Sequence, residues 1–104
     1  MITTTTETIH GRQITEHLGV VCGNTVRAKH IGRDLMAGFK TIIGGEVSGY
    51  TEMLQESRNQ ATDRMVAQAQ SMGADAILNV RFTTSQVAQG MSEMLAYGTA
   101  VKLS

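Results

Sequence analysis

Arg33-Asp34-Leu35-Met36-Ala37-Gly38-Phe39, then Gly44-Gly45, then a helical pattern that opens at Tyr50 and stops at Gly73-Ala74-Asp75-Ala76, decides how this chain folds. Leu35, Met36, Phe39, Ile42 and Ile43 recur at the spacing of one helix face. Asp34 falls in that helix's first turn, where a negative charge suits the dipole. Gly44-Gly45 is expected to end it, because glycine enters the left-handed cap conformation without a Cβ clash. A longer helix is expected from Ser48 or Gly49, with Ser48 as N-cap and Glu52 in the first turn. Its buried stripe is Leu54, Ser57, Ala61, Met65, Ala69 and Met72; Glu52, Glu56, Asn59 and Asp63 occupy the opposite face. The pattern covers about 23–25 residues, roughly twice the mean globular helix, and Gly73 closes it.

Past Gly73 the period changes to two. Ala76, Leu78, Val80 and Phe82 alternate with Ile77, Asn79 and Arg81, as in a half-buried strand. Residues 84–92 read as loop, and a last strand places Tyr97, Thr99, Val101 and Leu103 opposite Ala96, Gly98, Ala100 and Lys102. Upstream, the Thr-rich segment 2–9 suits a short or edge strand, and Gly11 turns the chain. From Ile14 to about Ala28 a β-branched run is interrupted by Gly19, Gly23 and Asn24, which predicts a bulge or a tight hairpin. The order of strands, two helices and two strands defines an α+β domain. A mostly antiparallel sheet packs on one long helix plus a shorter helix, with residues 1–104 forming one domain.

Composition narrows the classes of function. Lysines plus arginines equal the acidic residues, nine each, so no basic field draws in nucleic acid or anionic lipid. No apolar run reaches the roughly 18–20 residues that span a bilayer. The amino terminus lacks the basic and apolar regions of a signal peptide, so the expected compartment is the cytoplasm. One cysteine excludes an intrachain disulfide framework. Aromatic residues make up only 4% of the chain, so its small core is aliphatic and part of its stability is expected from oligomerisation.

Chemistry-bearing residues are few. His10, His17, Cys22 and His30 are the borderline or soft ligands apart from methionine. None has the close spacing of a metal motif, so a metal site built on Cys22 and His10 requires ligands shared between subunits. Cys22 between Val21 and Gly23 reads as a small buried hydrophobe without a local base. Glu52 and Glu56, one helical turn apart, read as a solvated face. The glycine-rich run into Ser48 lacks the Lys-Ser/Thr pair of a phosphate loop, and Glu46 would repel phosphate. Adjacent Arg33 and Asp34 lie before an apolar helix face, where Ala37-Gly38 permits close approach by a backbone or a ligand.

Arg33-Asp34, Ala37-Gly38, Gly44-Gly45, Tyr50, Gly73-Ala74-Asp75-Ala76 and the Gly98-Thr99-Ala100-Val101 ending together resemble the YbjQ-like family of small bacterial proteins. The likeness runs from about Gly19 to the carboxyl terminus. Asn79 stands where the family often carries glycine, and Glu46 where arginine is frequent. The resemblance implies a dodecin-like subunit that assembles into a pentameric ring, and it brings a heavy-metal-binding label without a defined ligand set. The expected protein is a non-enzymatic homo-oligomer whose partner is itself, with neither nucleic acid nor membrane. Small ligands are expected near Arg33, Asp34, Gly44, Gly45 and Tyr50 at subunit interfaces. The alternative is sequestration of a soft divalent or monovalent metal through Cys22 and His10.

Overall fold

The computed structural model describes residues 1–28, 42–43 and 46–104. Strands β1 (Ile2–Thr3), β2 (Ile14–Ala28), β5 (Ala76–Ala88) and β6 (Met91–Leu103) form a mixed sheet in the order β1-β5-β6-β2. β1 pairs parallel with β5, and the two remaining pairings are antiparallel. β3 (Ile42–Ile43) and β4 (Glu46–Val47) make a separate antiparallel pair that leads into helix α1 (Ser48–Ser71). Ile42 and Ile43 are therefore extended, not the last turn of a helix; the rest of the shorter helix expected over 35–43 lies outside the described residues.

Helix α1 matches the expected long helix, and its 24 residues bury Ser57, Ala61, Met65 and Ala69. The ends of the stripe, Leu54 and Met72, are exposed. No acidic residue stands in the first turn, so Glu52 lies just beyond it. At the other end the chain closes in two bonds: Ala74 N–H donates to the Ala69 carbonyl and Gly73 N–H to that of Gln70. This is a Schellman motif, and Gly73 supplies its left-handed residue with φ 77°. Asp75 then accepts from Leu103 N–H at 2.9 Å, tying the helix exit to β6.

Two layers of apolar contact hold the sheet. On the helix side Val21, Ile77, Val80, Met94, Ala96 and Ala100 pack with Ala61, Met65 and Ala69. On the other side Ala76, Leu78 and Val101 are covered by Ile9, Ile14 and Leu103. The strict alternation expected in β5 fails because the strand bulges. Its register with β6 skips between Leu78 and Arg81, where Asn79 adopts φ 54°. The bulge is what lets Ile77 and Val80, three residues apart, reach the same helix-facing core. Gly98 lies opposite: a Cβ there would meet Ile77 Cγ2 at 2.7 Å and the Leu78 carbonyl at 2.8 Å.

β2 is a single strand of 15 residues with irregular register near Gly19, so the bulge expected of its glycines is present and the hairpin is not. Gly23 serves a different end. A Cβ on it would collide with the backbone of Ala61 and Met65, so its hydrogen lets the helix lie directly on the strand. Residues 84–92, read as loop, continue β5 to Ala88, turn at Gln89 and Gly90, and start β6 at Met91. Exposed Thr, Ser and Gln obscured that hairpin in the sequence, because a strand with no buried face shows no alternation.

Candidate functional site

Of the residues expected near a ligand, Arg33, Asp34, Gly44 and Gly45 lie outside the described residues. Tyr50 lies within them. It lines a cleft of about 310 Å³ between the start of α1 and the β5–β6 hairpin, with Arg27, Met53, Leu54, Gln86 and Met91 among the other walls. Arg27 is anchored from the helix: its guanidinium donates to Gln60 Oε1 at 3.0 Å and stands 3.5 Å from Glu56 Oε2. Glu56 is thus a cation's partner on a largely solvated face, in keeping with the solvated face expected of Glu52 and Glu56. The cleft offers an apolar wall, a phenol and a guanidinium already engaged by a carboxylate. Sequence reasoning missed Arg27, Gln86 and Met91, because the first lies in a long strand and the others in the segment taken for loop.

The two expected metal ligands sit in different settings. His10 lines an open hollow of about 480 Å³ walled by Ile2, Thr4, Thr6, Thr8 and Ile9. Cys22 is exposed on β2 and is not part of that hollow. Its neighbours across the ladder are Tyr97 on β6 and, one strand further, Arg81 on β5. Among the described residues, no group of three or more His, Cys, Asp or Glu side chains is arranged to hold an ion. His30 lies outside them.

The third feature is the sheet face turned away from α1. Cross-strand partners share a face, so Val20, Cys22, Asn24 and Val26 of β2 stand in register with Thr99, Tyr97, Leu95 and Glu93 of β6. Beyond the patch covered by Ile9 and Ile14, Leu95 and Thr99 are half-buried and several other side chains of this face are exposed. Val20 is 75% exposed, Val26 50% and Tyr97 39%. Among the described residues a polar tie crosses it, from Asn24 Nδ2 to Glu93 Oε2 at 3.2 Å.

A four-stranded mixed sheet with one long helix on one face defines a small α+β domain. The chain belongs to the YbjQ family (UPF0145): the family model described as "Putative heavy-metal-binding" matches residues 1–104. A UPF0145 protein of Photobacterium profundum is 67% identical over 103 residues, covering 99% of this chain and 100% of the relative. One from Archaeoglobus fulgidus is 59% identical over 103 residues, covering 99% and 95%. A crystal structure from Pediococcus pentosaceus, of a protein of unknown function in the DUF74 family, superposes with a TM-score of 0.70. That match covers 100% of this chain and 98% of the other at 17% identity, so the likeness is one of fold.

Proposed function

We propose that this protein is a non-enzymatic subunit of a homo-oligomer, assembled through the sheet face turned away from α1 and binding small ligands where subunits meet. The exposed strip of Val20, Val26 and Tyr97 carries the reading. The areas support it. The chain exposes 6707 Å², whereas surface scaling assigns a folded monomer of this mass roughly 5,700 Å². The excess, about 1,000 Å², is of the order that one partner loses in a standard protein interface. The dimensions agree: the radius of gyration is 17.0 Å, against about 13 Å for a compact chain of this length. A ring of five dodecin-like subunits is the stoichiometry that the family resemblance implies.

On this reading the Tyr50 cleft, with Arg33, Asp34, Gly44 and Gly45 near it in sequence, is the ligand-binding region, and the compartment is the cytoplasm. No described helix is long and apolar enough to cross a membrane. Size-exclusion chromatography with light scattering tests the assembly. Val20→Asp places a charge in the strip without touching the core, and it is expected to release folded subunits. An oligomer whose mass neither Val20→Asp nor Val26→Asp lowers would refute the sheet face as the interface.

Sequestration of a soft metal is the second reading. The exposure of the Cys22 thiol on that same face favours it, because symmetric copies could then bring several thiols together. The metal would bind at a whole-number ratio to subunits, and Cys22→Ser would abolish binding.

A further inference from the structure

The sheet has two long edges, and they are treated differently. On β2 the outward backbone groups are capped by the helix: Cys22 N–H donates to Gln68 Oε1 at 2.8 Å, and Arg64 donates to the Asn24 carbonyl at 2.6 Å. Such caps blunt an edge against further pairing. On the other side, the amino-terminal segment covers β5 only as far as Arg81. Asn79 and Val80 donate their N–H groups to the carbonyls of Thr6 and Thr4, and Arg81 reaches the Thr5 carbonyl at 3.0 Å. Beyond it, Phe82-Thr83-Thr84-Ser85-Gln86-Val87 is exposed, and among the described residues nothing pairs with its outer edge.

The ladder fixes which groups face outward. Cys22 N–H points away from β6, so Val21, Gly23 and Thr25 bond toward it. Carried across the register, this turns Arg81, Thr83 and Ser85 toward β6 and leaves the N–H and C=O of Phe82, Thr84 and Gln86 outward. The same parity follows from Val80, whose N–H already serves the outer edge.

We propose that this edge of β5 pairs antiparallel with the same edge of a second copy, about a two-fold axis through Thr84. The contact rests on the self-assembly proposed above but uses a different surface. The segment is complementary to itself. Outward residues must face outward residues, which sets Thr84 against Thr84 and Phe82 against Gln86, and it also sets Thr83 against Ser85. Threonine pairs with threonine or serine favourably across strands, and no charged residue lies between Phe82 and Val87 to repel its copy. No proline or lysine guards the edge, in contrast to the capped β2. Helix α1 packs chiefly on β2 and only lightly on β5. A two-fold contact is isologous and cannot propagate around a ring of odd number, so it joins two rings face to face.

Charge reversal at the axis provides the test. Thr84 is exposed, so both Thr84→Lys and Thr84→Glu leave the subunit fold in place, as circular dichroism will verify. Native mass spectrometry of the unaltered protein is expected to give an even number of subunits. Thr84→Lys halves that mass, because lysine then meets lysine, and an equal mixture of Thr84→Lys with Thr84→Glu restores it. An odd-numbered assembly that Thr84→Lys leaves unchanged overturns the edge contact while preserving the sheet-face assembly. Halving without restoration by the mixture also overturns it. A monomeric unaltered protein defeats both readings.

Discussion

Gly23 and Asn79 show how much of this fold rests on single backbone positions. Gly23 has helix backbone where its side chain would be, so Gly23→Ala must push α1 off the sheet. A loss of about 1–3 kcal/mol is expected, as for overpacked cores, measured by urea unfolding. Gly49, with open space around its Cα, is the control: Gly49→Ala should stabilise the helix by up to about 1 kcal/mol. Asn79 holds φ 54°, which asparagine tolerates better than most residues. Asn79→Ala is expected to cost roughly 1 kcal/mol and Asn79→Gly to be near neutral; equal effects would show that the bulge relaxes. The glycine that the family resemblance would put at this position meets the same demand of the backbone. Met65, fully buried between α1 and the sheet, is the largest side chain at the centre of that core, and Met65→Ala should cost about 2–5 kcal/mol.

At the scale of elements, α1 was legible in the sequence because its small-residue stripe and its Gly73 terminus each have a local cause. The Schellman bonds and the Asp75–Leu103 tie explain why Gly73-Ala74-Asp75-Ala76 reads as a unit. The β5–β6 hairpin was illegible for the opposite reason: its outer half buries little, and burial is what prints a period on a sequence. The same blindness extends to the candidate site. Tyr50 could be picked out by its place at the helix start, whereas Arg27, Gln86 and Met91 join it only through pairings between strands far apart in sequence. Cys22 looked like a buried hydrophobe because Val21 and Gly23 beside it are buried. The strand's alternation turns it out to the surface. Exposure makes the thiol testable as a ligand: titration with zinc, copper(I) and cadmium should show binding lost in Cys22→Ser if the metal reading holds, and unchanged binding would remove Cys22 from it.

For the whole molecule, the helix-side core is closed and the opposite face is not. A core built on Ala61, Ala69, Ala96 and Ala100 brings helix and sheet close but buries little area per residue. On the outer strip Val20, Val26 and Tyr97 meet solvent in the isolated chain, and the proposed assembly would bury them. The proposed assembly through that strip would place Cys22 at the interface as well. The most direct test of this account is the native mass of the unaltered protein at micromolar concentration, purified without affinity metals. The account predicts a discrete multiple of the 11.2 kDa subunit, formed without added metal and reduced in Val20→Asp to no more than the pair that the β5 edges hold. A folded species of 11.2 kDa would contradict it.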